Sequence, residues 1–245
     1  MKRCTSRLGI CAALVLCAVT AGAVAPATLR VLLITGGHDF EAEPFLEVFR
    51  AASGITVTHA RHEGTTATAY ERANPASYDV VVLYDMPKDV TPSQQASFVE
   101  IFRRGTGLVA LHHAIVSAQG WADYERIIGG RYPEAAGKSG VVTAEVGYAH
   151  GVDVPVTVAV RNHPVAAGVG DFTIRDEIYW GFRVGADVTP LLTTTHPKSG
   201  KPLGWVRTEG RSRVVYLQLG HDRFAYENAN FRQLVAQSIR WASGR

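Results

Sequence analysis

The chain has 245 residues, with 25 Lys and Arg against 22 Asp and Glu, nine His and three Cys. Its formal charge of +3 is set by the opening MKRCTSR, which carries Lys2, Arg3 and Arg7 and no acid; the remainder holds 22 charges of each sign and has no basic excess to attract nucleic acid. All three cysteines (Cys4, Cys11, Cys17) lie in the same opening stretch, so the remainder has no thiolate nucleophile, disulfide or Cys-zinc site.

Residues 1–25 read as a secretory signal peptide: a basic start, an apolar run from Leu8 to Val24, and small residues at Ala21, Ala23 and Ala25. A cut after Ala23 fits the A-x-A rule. The run is marginal against the roughly 20 apolar residues of a bilayer span. The expected mature protein is therefore exported, periplasmic or extracellular, with no membrane contact. Its single domain is placed at 28–243; about 220 residues suffice for a sizeable core.

In chain order, LRVLLITGGHDF is an apolar strand ending in a turn, and EPFLEVFRAA follows at helical spacing with Gly54 as a stop. ITVTHA and YDVVVLYDMP are the second and third strands, the third continuous enough to be buried on both faces. TPSQQASFVEIFRRG is a helix capped by Thr91, with Pro92 first and Gly105 at its end. GLVALHH is the fourth strand and WADYERIIGG another helix. This rhythm predicts an α/β fold: a doubly wound, mostly parallel sheet with helices on both faces. From Val141 to Pro190 the segments VVTAEV, VPVTVAV, FTIRDEIYWGFRV and TPLLTTTH are short and alternating, which predicts an antiparallel section at one edge. GWVRTEGRSRVVYLQLGHD is a hairpin turning near Glu209 and Gly210, and ANFRQLVAQSIRWA is a closing amphipathic helix.

Ligands of open α/β sheets sit beyond the carboxyl ends of the strands. Those ends carry Gly37, His38 and Asp39 after the first strand, Asp85 after the third, His112 and His113 after the fourth, and His221 and Asp222 after the last. Adjacent strand residues point to opposite faces, so His112 and His113 cannot both serve one ligand unless the chain turns there. TGGHDFE offers close backbone approach, but its acids repel an anion and favour a hydroxyl-rich ligand or a cation. RDEIYWGF places Glu177 and Tyr179 beside aromatics, a combination suited to sugars and equally to an ordinary strand edge. His196 heads a loop that ends at Trp205. A divalent metal is an option, with histidines and carboxylates on several loops, although no close-spaced ligand motif such as H-E-x-x-H is present.

LLITGGHDF, GTGLVALHHAI, NHPVAAGVGDFTIRDEIYWGF, TTTHPKSGKPLGW and SRVVYLQLGHDRFAYENANFRQLVAQSIRWA together resemble the ThuA-like, or trehalose-utilisation, family from Leu29 to Ala242. The resemblance implies a fold similar to class I glutamine amidotransferases and flavodoxin-like sheets. It places His112 near the elbow where an amidotransferase carries its cysteine, and His221 at the later histidine. Without the sulfur, the glutaminase mechanism does not transfer. Family members often carry a histidine after Gly-Gly-x-(Phe/Tyr); GGRYPEAAGKSG lacks it.

The family's association with sugar catabolism implies a small carbohydrate partner. The expectation is an exported protein that hydrolyses or rearranges a glycoside or keto-sugar by His/Asp acid-base chemistry. His112 or His113 and His221 are the expected acid and base, with Asp222 orienting. Gly37, His38, Asp39, Asp85, Glu177, Tyr179 and His196 are expected to line the substrate pocket. The other reading is a non-catalytic sugar-binding or sensing domain.

Overall fold

The computed structural model describes Met1 and residues 28–72, 74–133 and 145–245. Apart from Met1, the expected signal peptide lies outside the described residues, as does most of the expected VVTAEV strand. Among those described, no helix is long and apolar enough to cross a membrane.

One nine-stranded sheet organises the chain. β1 (Leu29–Gly36), β2 (Ile55–Arg61), β3 (Val80–Asp85), β4 (Gly107–Leu111) and β11 (Ser212–Leu217) form a parallel half in the order β2-β1-β3-β4-β11. β10 (Pro202–Glu209), β9 (Thr189–Thr194), β6 (Gly147–Val158) and β7 (Phe172–Trp180) continue it in that order, each antiparallel to its neighbour. The fold is thus the α/β sheet with an antiparallel edge section that the periodicity predicts.

Alternation along the buried strands feeds two cores. Val31 and Leu33 of β1, with Val80, Val82 and Tyr84 of β3, pack toward α1 (Ala42–Arg50) and α5 (Ala229–Ala242) through Phe45, Phe49, Phe231 and Leu234. Leu32, Ile34, Val81 and Leu83 face the other way, onto Phe98 and Phe102 of α2 (Pro92–Arg103) and Tyr124 and Ile127 of α3 (Ala122–Ile128). Both faces are covered, which is why these strands read as unbroken apolar runs. Thr91 caps α2 in a capping box with Gln94.

Three boundaries differ from the sequence reading. The strand expected at VPVTVAV begins at Gly147 and carries a bulge between Ala149 and Val152. FTIRDEIYWGFRV is not one strand: β7 ends at Trp180, and β8 (Arg183–Val184) pairs with β5 (Gly130–Arg131) in a separate two-stranded ribbon. Gly181 breaks it, with φ +75° and so little space that a β-carbon would collide with the Glu145 carbonyl. β4 stops at Leu111, and His112–Val116 turn into a 3-10 helix.

The antiparallel half curls. β7 is the last strand of the order, five positions from β4, yet its side chains bond residues at the ends of β4 and β11. Val154, Val156, Ile174, Ile178 and Leu191 share the core of α1 and α5, which pulls this half over the carboxyl rim. That return brings acids from β7 onto histidines from the parallel half.

Candidate metal centre

His112 is the residue at which β4 becomes a turn. Its φ of +50° lies in the left-handed region, which lets the chain reverse directly after the strand. The turn separates the two adjacent histidines. The His112 ring turns toward Glu177, Tyr179 and His221 at the rim. The His113 ring packs inward, 4.6 Å from His38 in a stack and 4.3 Å from Tyr84. Gly37 (φ +80°) lies so close to the Met86 carbonyl that no β-carbon would fit.

His112, Glu177 and His221 meet at one point. His112 Nε2 stands 2.8 Å from Glu177 Oε2 and 3.2 Å from His221 Nδ1, and His221 Nδ1 is 3.2 Å from the same Glu177 oxygen. The Tyr179 hydroxyl is a further 2.9 Å neighbour of His112 Nε2. The other Glu177 oxygen, Oε1, faces His150 Nδ1 at 3.2 Å. Among the described residues, His112, Glu177 and His221 are the group whose ligand atoms all lie within 4.8 Å of one another.

The protons decide what this arrangement is for. His112 Nδ1 is 2.6 Å from the Gln218 carbonyl, which can only accept, so Nδ1 carries the hydrogen. Nε2 is then the ring nitrogen that faces a carboxylate oxygen, a hydroxyl and a second imidazole. Donor atoms that share a divalent ion at about 2.0–2.1 Å stand roughly 3 Å apart, the separations found here. The Gln218 carbonyl is the backbone partner that fixes the tautomer of a metal-binding histidine. Two imidazoles and a carboxylate suit a divalent transition metal with open positions for substrate. The residues fit such an ion.

The surrounding network holds the donors in place. Asp176, fully buried, accepts the backbone N–H groups of Glu177 (2.8 Å), Gly220 (2.7 Å) and His221 (2.9 Å). It ties β7 to the loop that follows β11. Tyr84 and Tyr226 bond each other at 2.6 Å, and Tyr226 donates to the His221 carbonyl at 2.9 Å. Burial raises the Asp176 carboxyl, against the pull of His112 and the three N–H groups. Burial also raises Glu177, but its bonds to His112 and His221 outweigh that and hold it well below the usual carboxylate range. For His221 burial lowers the pKa, and the Glu177 carboxylate overrides it and leaves the net shift upward. Desolvation lowers His38 and takes His113 well below the ordinary imidazole value.

The expected site residues divide accordingly. His112, His221, Glu177 and Tyr179 converge, and His38 and His113 form an adjoining stacked pair. Asp39 is exposed and offers its backbone carbonyl to His38 Nδ1 at 2.6 Å. Asp222 spends its carboxylate on capping α4 (Arg223–Tyr226) through the Phe224 N–H at 2.9 Å, and acts on His221 only through longer-range attraction. Asp85 is on the opposite side of β3 from Tyr84, fully buried, bonded to His62 Nε2 (2.8 Å) and the Tyr70 hydroxyl (2.9 Å) in a separate cluster. His196 closes its own loop, where Nδ1 accepts the Lys198 N–H at 3.3 Å. His150 and Asp176 were missed as site residues. His150 stands in the β6 bulge, and Gly151 beside it (φ +63°) is the sequence mark that such a bulge leaves.

Sheet and cluster together define an α/β protein of the doubly wound class with a candidate metal centre at its carboxyl rim. The sequence matches the ThuA family model, described as trehalose utilisation, over residues 30–242, and the chain belongs to that family. A ThuA-like protein from Parabacteroides merdae ATCC 43184 shares the fold, with a TM-score of 0.74 and 19% identity over 88% of this chain and 90% of that one. A second ThuA-like protein, from Bacteroides uniformis ATCC 8492, gives 0.65 and 18% over 91% and 94%. The fold also occurs within a β-galactosidase from Rahnella sp. R3, with a TM-score of 0.56 and 16% identity over 87% of this chain but 32% of that chain. No curated protein matches.

Proposed function

We propose that this protein is a divalent-metal-dependent enzyme that hydrolyses or rearranges a glycoside or keto-sugar, exported by way of residues 1–25. One observation carries the reading: His112 Nε2, Glu177 Oε2 and His221 Nδ1 lie within 2.8–3.2 Å of one another. His112, Glu177 and His221 hold the ion, with His150 and Tyr179 at its margin. A bound ion supplies Lewis acidity to a hydroxyl or keto oxygen of the sugar. Membership of a trehalose-utilisation family supports the carbohydrate.

Proton transfer falls to His38. Its Nδ1–H is committed to the Asp39 carbonyl and its ring is neutral through desolvation, so Nε2 offers a lone pair. It takes a proton from water or from the carbon beside a keto group and returns it to the leaving glycosidic oxygen. His113 backs the ring by stacking. This moves the acid-base role away from His112 and His221, which the sequence suggested, and leaves Asp222 as a helix cap.

The test is metal uptake by chelator-treated protein, read by calorimetry, followed by a glycoside and keto-glycoside panel. One zinc or manganese ion should bind per chain and restore turnover, and His112→Ala and His221→Ala should lose the ion. His38→Ala should keep the ion and lose about 10²–10⁴-fold in turnover. A chain that takes up no divalent ion, or one whose His38→Ala variant is fully active, ends this reading.

A further inference from the structure

We infer that Arg175 and Phe224, beside this centre, hold a second sugar ring of the substrate. The inference rests on the carbohydrate reading above and names the residues that hold the second ring.

Strand geometry puts the two residues there. Arg175, Glu177 and Tyr179 alternate along β7 and so share one face. Tyr179 is buried, Glu177 is buried at the His112–His221 cluster, and Arg175 is exposed, so this row runs from the interior to the surface. Two residues of strand place the Arg175 backbone roughly 7 Å beyond that of Glu177. The β6 bulge borders the same path. His150 touches Glu177, and a β-carbon on Gly151 would lie 3.5 Å from Arg175 Nη2, so the guanidinium lies over a residue without a side chain.

Phe224 stands beside Arg175. It follows His221 by three residues on α4, which packs against β7, and it is 51% exposed. A single exposed aromatic is ordinary on a protein surface. This one is held: the Arg175 guanidinium lies 4.7 Å from its ring centroid. Arg175 itself has no carboxylate within ion-pair distance among the described residues, although Asp153 stands directly across the ladder. Its N–H donors are therefore free for hydroxyls, while the open face of Phe224 suits the apolar face of a pyranose. An aromatic platform beside a fixed fork of donors is how a second ring would be gripped while the first lies at Glu177.

The test compares sugar binding by the full chain in zinc-containing buffer. Calorimetry with trehalose, maltose and cellobiose is set against methyl glucoside. At least one two-ring sugar should bind more tightly than methyl glucoside. Phe224→Ala should weaken that sugar about tenfold and leave methyl glucoside and zinc uptake unchanged, with Phe224→Trp restoring affinity. Arg175→Ala should weaken the same sugar. The inference is overturned if no two-ring sugar outbinds the single ring, or if Phe224→Ala binds both as the native chain does. Selective binding that depends on Phe224, with no turnover on any substrate, upholds the subsite and removes the enzyme. Turnover with a silent Phe224→Ala does the reverse.

Discussion

Glu177→Gln should abolish divalent-ion uptake and turnover together while the chain stays folded. Glu177 is the one carboxylate of the cluster, and its side chain is only 5% exposed, so its charge is poorly screened. One oxygen serves both His112 and His221 and the other faces His150. An amide removes the charge and turns one acceptor into a donor pointed at imidazoles. Loss of an outer-shell partner alone costs about 10–100-fold in metal affinity, so loss of this ligand should exceed about a hundredfold. Calorimetric titration with zinc, alongside a melting curve, reads both effects. Uptake within tenfold of the native chain would show that the ion, if any, sits elsewhere.

Asp176→Asn should be the next most damaging change, through position alone. Oδ1 accepts from Glu177 and His221, and Oδ2 accepts from Gly220. An asparagine keeps one carbonyl oxygen, but its NH2 then meets an N–H, donor against donor. A buried donor left without a partner costs about 1–3 kcal/mol. The loop carrying His221 would shift from β7, and zinc affinity should fall about 10–100-fold. A merely structural role predicts a lower melting temperature with unchanged zinc affinity. Finding that pattern would remove Asp176 from the positioning network.

The parallel half was readable because its signals are local. Thr91-Pro92 and Gly105 bracket α2, and the unbroken run of β3 gave its burial. The rim followed from topology: residues after β1, β4 and β11 must come to one edge. Asp85 shows where that rule is too coarse. It ends β3 at the right edge, but alternation turns it away from Tyr84 and into the pocket of His62 and Tyr70. His150 and Asp176 were hidden for another reason. They come from β6 and β7, which are remote from β4 in strand order, and only the curl of the antiparallel half returns them to the rim. No periodicity records that curl. The bulge at Gly151 was visible only as one glycine in an alternating segment.

The provenance of the cluster has an evolutionary consequence. His112 and His221 are supplied by the parallel scaffold, whereas Glu177, His150 and Arg175 hang on a ladder that shares the scaffold's core through Val154, Val156, Ile174 and Ile178. Selection can therefore redecorate the outward row of the ladder, and with it the molecules admitted, without disturbing the helices or the two fixed imidazoles. Diversification within such a lineage would show first at Arg175 and its neighbours and last at the elbow.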